Sequence, residues 1–385
     1  MDAEQTAGAR LARRLLGNAP PVTAFAHPAA LAGPPIDWGG IDRLLVVRPD
    51  NLGDVLLTGP ALAALRSAAP HAELDLLASP AGAAAAQLLP EVDETVVARV
   101  SWQQIAVTAE PPDTDLVFRI AARHYAAAVV LTSFSQSPWP AGYALQRAGV
   151  PLRAGMSKEF GGAALTHWVP AADDALHQAD RALRLLDGLG VPTAHVPPTL
   201  HATVPGASRE RAAAAVQGAG LDAAAPYAVV LPGASCPSRR WPAERFRATA
   251  ALLAAEGLPV VVTGPAAERD LVADVAARTP GVVALAGAFD VPDLAALLAG
   301  AAVAVTNNSG GMHLADAVGT PVVVLFAGTE DEGQYRPRSV PSAVLRVPTA
   351  CSPCRQFHCP FDLECLAIAP ADAARAALRV ARHSE

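Results

Sequence analysis

The chain has 385 residues, with 29 Lys+Arg against 36 Asp+Glu and a formal net charge of −7. At roughly 100–200 residues per domain this length predicts two domains, and 52% hydrophobic with 17% charged residues excludes a disordered chain. The acidic balance excludes broad nucleic-acid binding, which needs a surplus of Lys and Arg on the phosphates, and leaves room for a local basic pocket for a small anion.

Residues 1–40 read as an N-terminal extension, a short Arg-bearing helix around Leu11–Leu16 followed by a Pro/Ala/Gly segment through Pro34 and Pro35. Arg10, Arg13 and Arg14 lack the apolar core of a secretory signal. No stretch approaches the ~20 apolar residues that span a bilayer. A cytoplasmic protein without a transmembrane segment is expected, with peripheral membrane contact left open.

The first strong strand is Leu44–Val47, closed by Arg48-Pro49-Asp50-Asn51-Leu52-Gly53-Asp54 and followed by a helical stretch to about Ala68. Apolar runs recur at Leu74–Leu77, Thr95–Ala98, Ala128–Thr132 and Leu152–Gly155, with helical segments between them. Such alternation predicts βαβ units and a mainly parallel sheet. The Gly- and Pro-rich stretch 188–208 suits a linker. The pattern then restarts at Tyr227–Leu231, Pro259–Thr263, Val282–Leu285, Ala302–Val305 and Val322–Phe326, with helices at 242–256, 266–278, 292–299 and 311–318.

Open parallel sheets bind ligands beyond the carboxyl ends of their strands, so the loops there are the candidates. Asp54 opens a helix and is either an N-cap or a carboxylate facing the cleft as general base. The loop from Pro232 to Pro242 carries Gly233, Ser235, Arg239 and Arg240 and suits an anion, or is an ordinary turn with solvated arginines. Cys236 within it has no His nearby in sequence and Trp241 is a packing residue. Thr306-Asn307-Asn308-Ser309-Gly310-Gly311-Met312-His313 runs from a strand into a helix start, a geometry that favours a diphosphate. Thr263 ends another strand and Glu268 follows it, as a helix-dipole carboxylate or an acceptor for ribose hydroxyls.

Other signals carry less. Gly218-Ala219-Gly220-Leu221-Asp222-Ala223 has the dinucleotide spacing in the reverse context, after a helix and before a strand. No P-loop occurs, and Asp113-Thr114-Asp115 reads as a helix cap rather than a metal site, so neither a cofactor nor a catalytic metal is expected. Cys351, Cys354, Cys359 and Cys365 form a dense cluster whose spacing fits neither a two-knuckle zinc site nor a ferredoxin run. A reduced knot, a metal site and disulfides all stay open for it.

Arg48-x-Asp50-x-Leu52-Gly53-Asp54, the segment from Pro232-Gly233-Ala234 to Arg240-Trp241-Pro242, and Asn307-Asn308-Ser309-Gly310-Gly311-Met312-His313-Leu314-Ala315 together resemble glycosyltransferase family 9, which includes the ADP-heptose:lipopolysaccharide heptosyltransferases. The resemblance runs from about Ile41 to the C-terminal helix. It implies an α/β GT-B fold: two Rossmann-like domains with mainly parallel sheets facing an interdomain cleft. The expected division is an acceptor domain at 41–205, a nucleotide-sugar domain at 206–369 and a C-terminal helix at 370–385. The implied activity is inverting, metal-independent transfer of a sugar, heptose by the family's example, from an ADP-sugar to a hydroxyl of a glycan or small-molecule acceptor.

By motif, Asp54 matches the catalytic base. Arg239 falls where the family often has Lys before x-Trp-Pro and would neutralise the departing diphosphate. Glu268 matches a ribose contact, and Ser309, Gly310, Gly311 and His313 match the phosphate-binding turn. Gly53, Gly233, Ser235, Arg240, Thr263 and Asn308 complete the expected nucleotide-sugar site. Asn308 stands where many members have Asp, which motivates a second reading, a non-catalytic sugar-nucleotide-binding protein. The acceptor is expected at the loops Phe134–Trp139 and Met156–Gly162, with Arg123, His124, Gln136 and Lys158 as candidate contacts.

Overall fold

The computed structural model describes residues 34–103 and 112–382. The helix expected around Leu11–Leu16 lies outside the described residues. Strands β1 (Arg43–Arg48), β2 (Glu73–Ala78), β3 (Glu94–Val97), β4 (Ala127–Val130), β5 (Leu152–Ser157) and β6 (His167–Pro170) form one sheet in the order β3-β2-β1-β4-β5-β6. Strands β7 (Ala228–Leu231), β8 (Val260–Gly264), β9 (Val282–Ala286), β10 (Val303–Asn307), β11 (Val322–Leu325) and β12 (Ser342–Leu345) form the second, in the order β12-β11-β10-β7-β8-β9. Neighbours are parallel throughout both sheets.

Both sheets therefore have the 3-2-1-4-5-6 order of a doubly wound dinucleotide-type fold, in which chain order reverses beside the first strand. In the first sheet Val46 stands between Leu76 and Val129, and in the second Val305 stands between Val230 and Val323. These central strands are covered by helices on both faces and so read as continuous apolar runs rather than alternating ones. Leu44, Leu45, Val46, Val303, Ala304 and Val305 are all fully buried.

Helices α1 (Leu52–Leu56), α2 (Gly59–Ala68) and α3 (Gln178–Gly188) belong to the first sheet, with α3 packed on α2. Around the second lie α4 (Gly206–Gly218), α5 (Ala243–Ala255), α6 (Val291–Ala299), α7 (Gly310–Ala317) and α8 (Pro370–Arg382). α4 packs on α6, and α8 packs on α5 and on β10, β11 and β12. The turn after Leu56 splits the single helical stretch expected to Ala68 into α1 and α2.

Two strands are absent from the sequence-based expectation, β6 and β12. Each is four residues long, sits at a sheet edge and is only partly buried. Neither has the apolar run that marks the inner strands. Among the described residues no helix is long and apolar enough to cross a membrane.

Candidate active site in the interdomain cleft

The switch points of the two sheets, β1 beside β4 and β7 beside β10, face each other, and the loops leaving those four strands build the site. β1 ends on Arg48, which is almost fully buried. Its Nη2 donates to Asp54 Oδ1 at 2.9 Å and to Ser133 Oγ at 2.8 Å, while its Nε lies 3.2 Å from Asp50 Oδ2. The other oxygen of Asp50 accepts from Gln136 Nε2 at 2.6 Å. Burial pushes the Asp50 carboxyl above the usual range, against the pull of Arg48.

Asp54 is not the cap of α1. Asn51 holds that position, and Asp54 sits in the first turn with a quarter of its side chain exposed. Its ion pair with Arg48 fixes the carboxylate at the mouth of the cleft.

On the opposite side, Asn307 ends β10 and pins the anion loop. Its Oδ1 accepts the Trp241 N–H at 3.0 Å and its Nδ2 donates to the Pro232 carbonyl at 2.8 Å. The loop thus held presents Arg239, whose Nε donates to Thr329 Oγ1 at 3.1 Å and whose Nη2 donates to Glu330 Oε1 at 2.6 Å. Burial raises the Glu330 carboxyl above its ordinary range, and Arg239 opposes it. Arg240 donates to the Ala234 carbonyl at 2.8 Å and its Nη2 comes within 3.9 Å of Glu268 Oε1.

Glu268 folds against Gly233 so closely that a Cβ there would stand 1.8 Å from its Oε2. Only glycine lets this carboxylate reach the loop. Burial raises the Glu268 carboxyl as well. Ser235 is exposed at the loop tip.

Ser309 precedes α7, but its hydroxyl makes no capping bond, so the side chain leaves the first N–H groups of the helix to a ligand. Gly310 and Gly311 form the first turn. His313 is buried, and burial followed by the charge of Arg239 lowers its imidazole to about 4, so the ring is neutral at ordinary pH. Asn308 is buried with Oδ1 accepting the Ala327 N–H at 3.1 Å and Nδ2 unpartnered. Its oxygen holds the loop after β11, which carries Thr329 and Glu330, a task that needs no charge.

Four of the expected contact residues are bonded within the protein or lie away from the cleft. Thr263 is buried and its hydroxyl donates to the Leu285 carbonyl at 2.8 Å. Arg123 pairs with Asp75, Glu73 and Glu94. Glu73 and Glu94 begin β2 and β3, so Arg123 and the adjacent His124 lie at the end of the sheet away from the cleft. Lys158 is exposed and paired with Asp174. Gln136, by contrast, is at the site through Asp50.

Glu330, Thr329 and Tyr335, whose ring lies 6.4 Å from that of His313, are absent from the sequence-based expectation, and Asn307 stood in a motif there without a role of its own. The signal was available for the first two: Ala327-Gly328-Thr329-Glu330 follows an apolar strand directly, at the same carboxyl edge as the other loops.

The domains meet through several bonds. Arg338 forks onto Asp180 with bonds of 2.7 and 2.6 Å. His177 Nε2 donates to the Arg336 carbonyl at 3.1 Å, its Nδ1 accepting from Ala179. The Arg355 guanidinium lies 4.5 Å over the ring of Phe134. Cys351, Cys354, Cys359 and Cys365 carry free thiols and line one pocket together with Ser238 and Thr329, immediately behind Arg239. Burial raises the Cys365 thiol, and the other three thiols add to this through their charges, while a backbone bond to Gly328 opposes it.

Two doubly wound sheets whose switch-point loops converge on one cleft define the GT-B architecture. The family model "Glycosyltransferase family 9 (heptosyltransferase)" matches residues 119–364, well over half of the chain, and the chain belongs to that family. It is 36% identical over 108 residues to lipopolysaccharide heptosyltransferase 3 of Escherichia coli, a match covering 27% of this chain and 32% of that protein. The chain thus spans about a third of that relative's length. Among solved structures, a family 9 glycosyltransferase from Veillonella parvula superposes with a TM-score of 0.74 at 22% identity, over 91% of this chain and 99% of that one. The E. coli ADP-heptose lipopolysaccharide heptosyltransferase II superposes with a TM-score of 0.70 at 21% identity, over 89% and 99%. These two share the fold.

Proposed function

We propose that the protein is an inverting, metal-independent glycosyltransferase that moves a sugar, heptose in the first instance, from an ADP-sugar to a hydroxyl of a lipopolysaccharide-type glycan. The observation that carries this is the opposition of Asp54 and the Arg239 loop across one cleft, each held by bonds from its own domain. The names of the E. coli relatives supply the sugar, the nucleotide and the acceptor class.

In the transfer, the acceptor hydroxyl oxygen attacks the anomeric carbon while its proton passes to Asp54. The bond from that carbon to the diphosphate breaks on the opposite face, and the electron pair leaves with ADP. A single displacement inverts the centre. Arg48 holds the base in place. Charge on the departing diphosphate is met by Arg239, Arg240 and the start of α7, fixed dipoles and cations that need no reorganisation as the charge develops. Neutral His313 offers a hydrogen bond without a second cation. Glu268, beside Gly233, is placed for the ribose hydroxyls.

Asn308 gives the non-catalytic alternative little support, because its oxygen serves the Ala327 N–H. Calorimetric titration with ADP, UDP and GDP, without added metal and with an Arg239→Ala variant alongside, tests the assignment. ADP is expected to bind selectively and to weaken about tenfold or more in the variant, the value of a charge-assisted phosphate contact. Preference for another nucleotide would overturn the donor, and binding unchanged in the variant would remove Arg239 from the site.

A further inference from the structure

The segment that follows Glu330 straps the second domain onto the first. Asp331 caps a single helical turn, Glu332–Tyr335, its carboxylate accepting the Gly333 N–H at 2.8 Å, and the chain runs on to Ser339. Bonds from this strap cross to residues 174–200. Gln334 Nε2 donates to the Asp174 carbonyl, the Arg336 carbonyl accepts from His177 at 3.1 Å, Arg338 forks onto Asp180, and Ser339 Oγ accepts the Leu200 N–H at 2.8 Å. On its other side the strap is tied to α7, where the Asp316 carboxylate accepts the N–H groups of Arg338 and Ser339 at 3.1 and 2.7 Å. A segment held from both domains has little freedom, so the side chain it carries into the cleft is well placed.

That side chain is Tyr335. It is 8% exposed and its ring lies 6.4 Å from that of His313. The groups around its hydroxyl are Glu330, Asp54 and Arg48 by charge and Ser133 by a hydrogen bond. Burial first, then Glu330 and Asp54, raise the phenol above its ordinary value, so it keeps its proton. Ser133, after β4, belongs to the first domain. Its Oγ accepts Arg48 Nη2 at 2.8 Å, and the same Nη2 donates to Asp54 Oδ1 at 2.9 Å. A serine oxygen that accepts from a guanidinium keeps its own O–H to give, and the Tyr335 oxygen is there to take it. The chain Tyr335–Ser133–Arg48–Asp54 therefore starts in one domain and ends on the proposed base in the other.

We propose that Tyr335 is a positioning residue for sugar transfer: its hydroxyl anchors Ser133 from the opposite domain, Ser133 fixes the Arg48 guanidinium, and Arg48 holds the Asp54 carboxylate toward the acceptor. The proposal rests on the reading of Asp54 as the base. It adds that the base is set from the nucleotide-sugar side of the cleft as well as from its own domain, through the strap that also follows Thr329 and Glu330, the partners of Arg239. Packing against His313 needs only the ring, which phenylalanine would supply equally well. The hydroxyl is the part that serves the base, and removing it alone separates the two roles.

The test is Tyr335→Phe in the full chain, beside Ser133→Ala and the double variant, read by single-turnover ADP release from ADP-heptose with a lipopolysaccharide core acceptor and by calorimetric ADP binding. Tyr335→Phe is expected to lower the rate at saturating acceptor about fivefold or more, since small misplacements of a reacting group are costly. The ADP Kd and the acceptor concentration at half-maximal rate are each expected to stay within about twofold, the split that marks an interaction made for the transition state. Ser133→Ala cuts the chain from the other domain and is expected to cost at least as much. Adding Tyr335→Phe to it is then expected to cost less than about twofold more, because residues in one network are not additive. A rate unchanged by Tyr335→Phe, a loss that falls on ADP or acceptor affinity instead, or two losses that multiply in the double variant would each overturn the positioning role. Should Tyr335→Phe fail to fold, a Ser133→Ala rate equal to that of the wild type overturns it alone. A wild type without acceptor-dependent ADP release, or a rate that Asp54→Asn leaves unchanged, would overturn the transferase or base reading and the positioning role with it, whereas an active wild type indifferent to Tyr335→Phe would remove only the latter.

Discussion

The His313 ring lies directly over Gly53: a Cβ on that glycine would stand 2.6 Å from His313 Cδ2. The loop that bears the proposed base and the helix that bears the proposed phosphate turn are therefore in contact across the domain boundary, with Gly310 Cα 3.4 Å from the same point. Gly53→Ala is expected to force the two apart. We expect kcat to fall at least about tenfold, since small misplacements of reacting groups are costly, while the ADP Kd changes less than threefold. Steady-state kinetics with calorimetry on one preparation check this split.

Asn307 makes both ends of its amide work, holding Trp241 N–H and the Pro232 carbonyl. Asn307→Ala leaves these two buried backbone groups without a partner. A loss of roughly 2–6 kcal/mol in unfolding free energy is expected from about 1–3 kcal/mol for each group. Urea denaturation measures it. Asn307→Asp, which keeps the acceptor but not the donor, is expected to fall between the two.

On the proposed assignment, Glu330 competes with the diphosphate for Arg239. Its carboxylate takes Nη2 at 2.6 Å in the structure, so an ADP bound as proposed has to share or displace that bond. Glu330→Gln keeps the shape and removes the charge. It is expected to tighten ADP binding several-fold, as the local potential becomes more positive, and the gain is expected to shrink with added salt. Titration of ADP at two ionic strengths reads both effects.

His177 and His313 are buried and their imidazoles are lowered to about 4, by burial first and then by Arg338 and Arg239 respectively. In the unfolded chain the same rings take protons near pH 6.5. Between those values the unfolded state binds more protons, so stability falls as the pH falls, by up to roughly 1.4 kcal/mol per pH unit for each ring. Above about pH 6.5 this contribution is flat, and below about pH 4 the loss is complete. Asp50, Glu268 and Glu330, raised by burial, act with the opposite sign in the carboxylate range. The histidine effect is isolated by difference: His177→Gln is expected to lose less stability than the wild type between pH 7 and pH 5 in thermal melts.

The inner strands of both sheets were legible in the sequence because they are buried on both faces and hence uninterrupted runs of apolar residues, as in Leu44–Val47 and Val322–Phe326. The edge strands His167–Pro170 and Ser342–Leu345 were not, since half-exposed edges carry no such run. Of the site, the residues on the glycine-marked loops stood out: Asp54, Arg239 and His313 each belong to a motif with a backbone requirement. Glu330 has none, and its importance arises from where β11 ends. Arg123 misled because charge alone does not tell which end of a sheet a residue occupies.

The central claim is that Asp54 is the base for sugar transfer. The most direct measurement is ADP release from ADP-heptose in the presence of a lipopolysaccharide core acceptor, under single-turnover conditions, for the wild type and Asp54→Asn, with ADP affinity measured in parallel. The account predicts acceptor-dependent turnover in the wild type, a loss of about 10²–10⁴-fold in the variant and unchanged ADP affinity. Turnover that survives the substitution would contradict it.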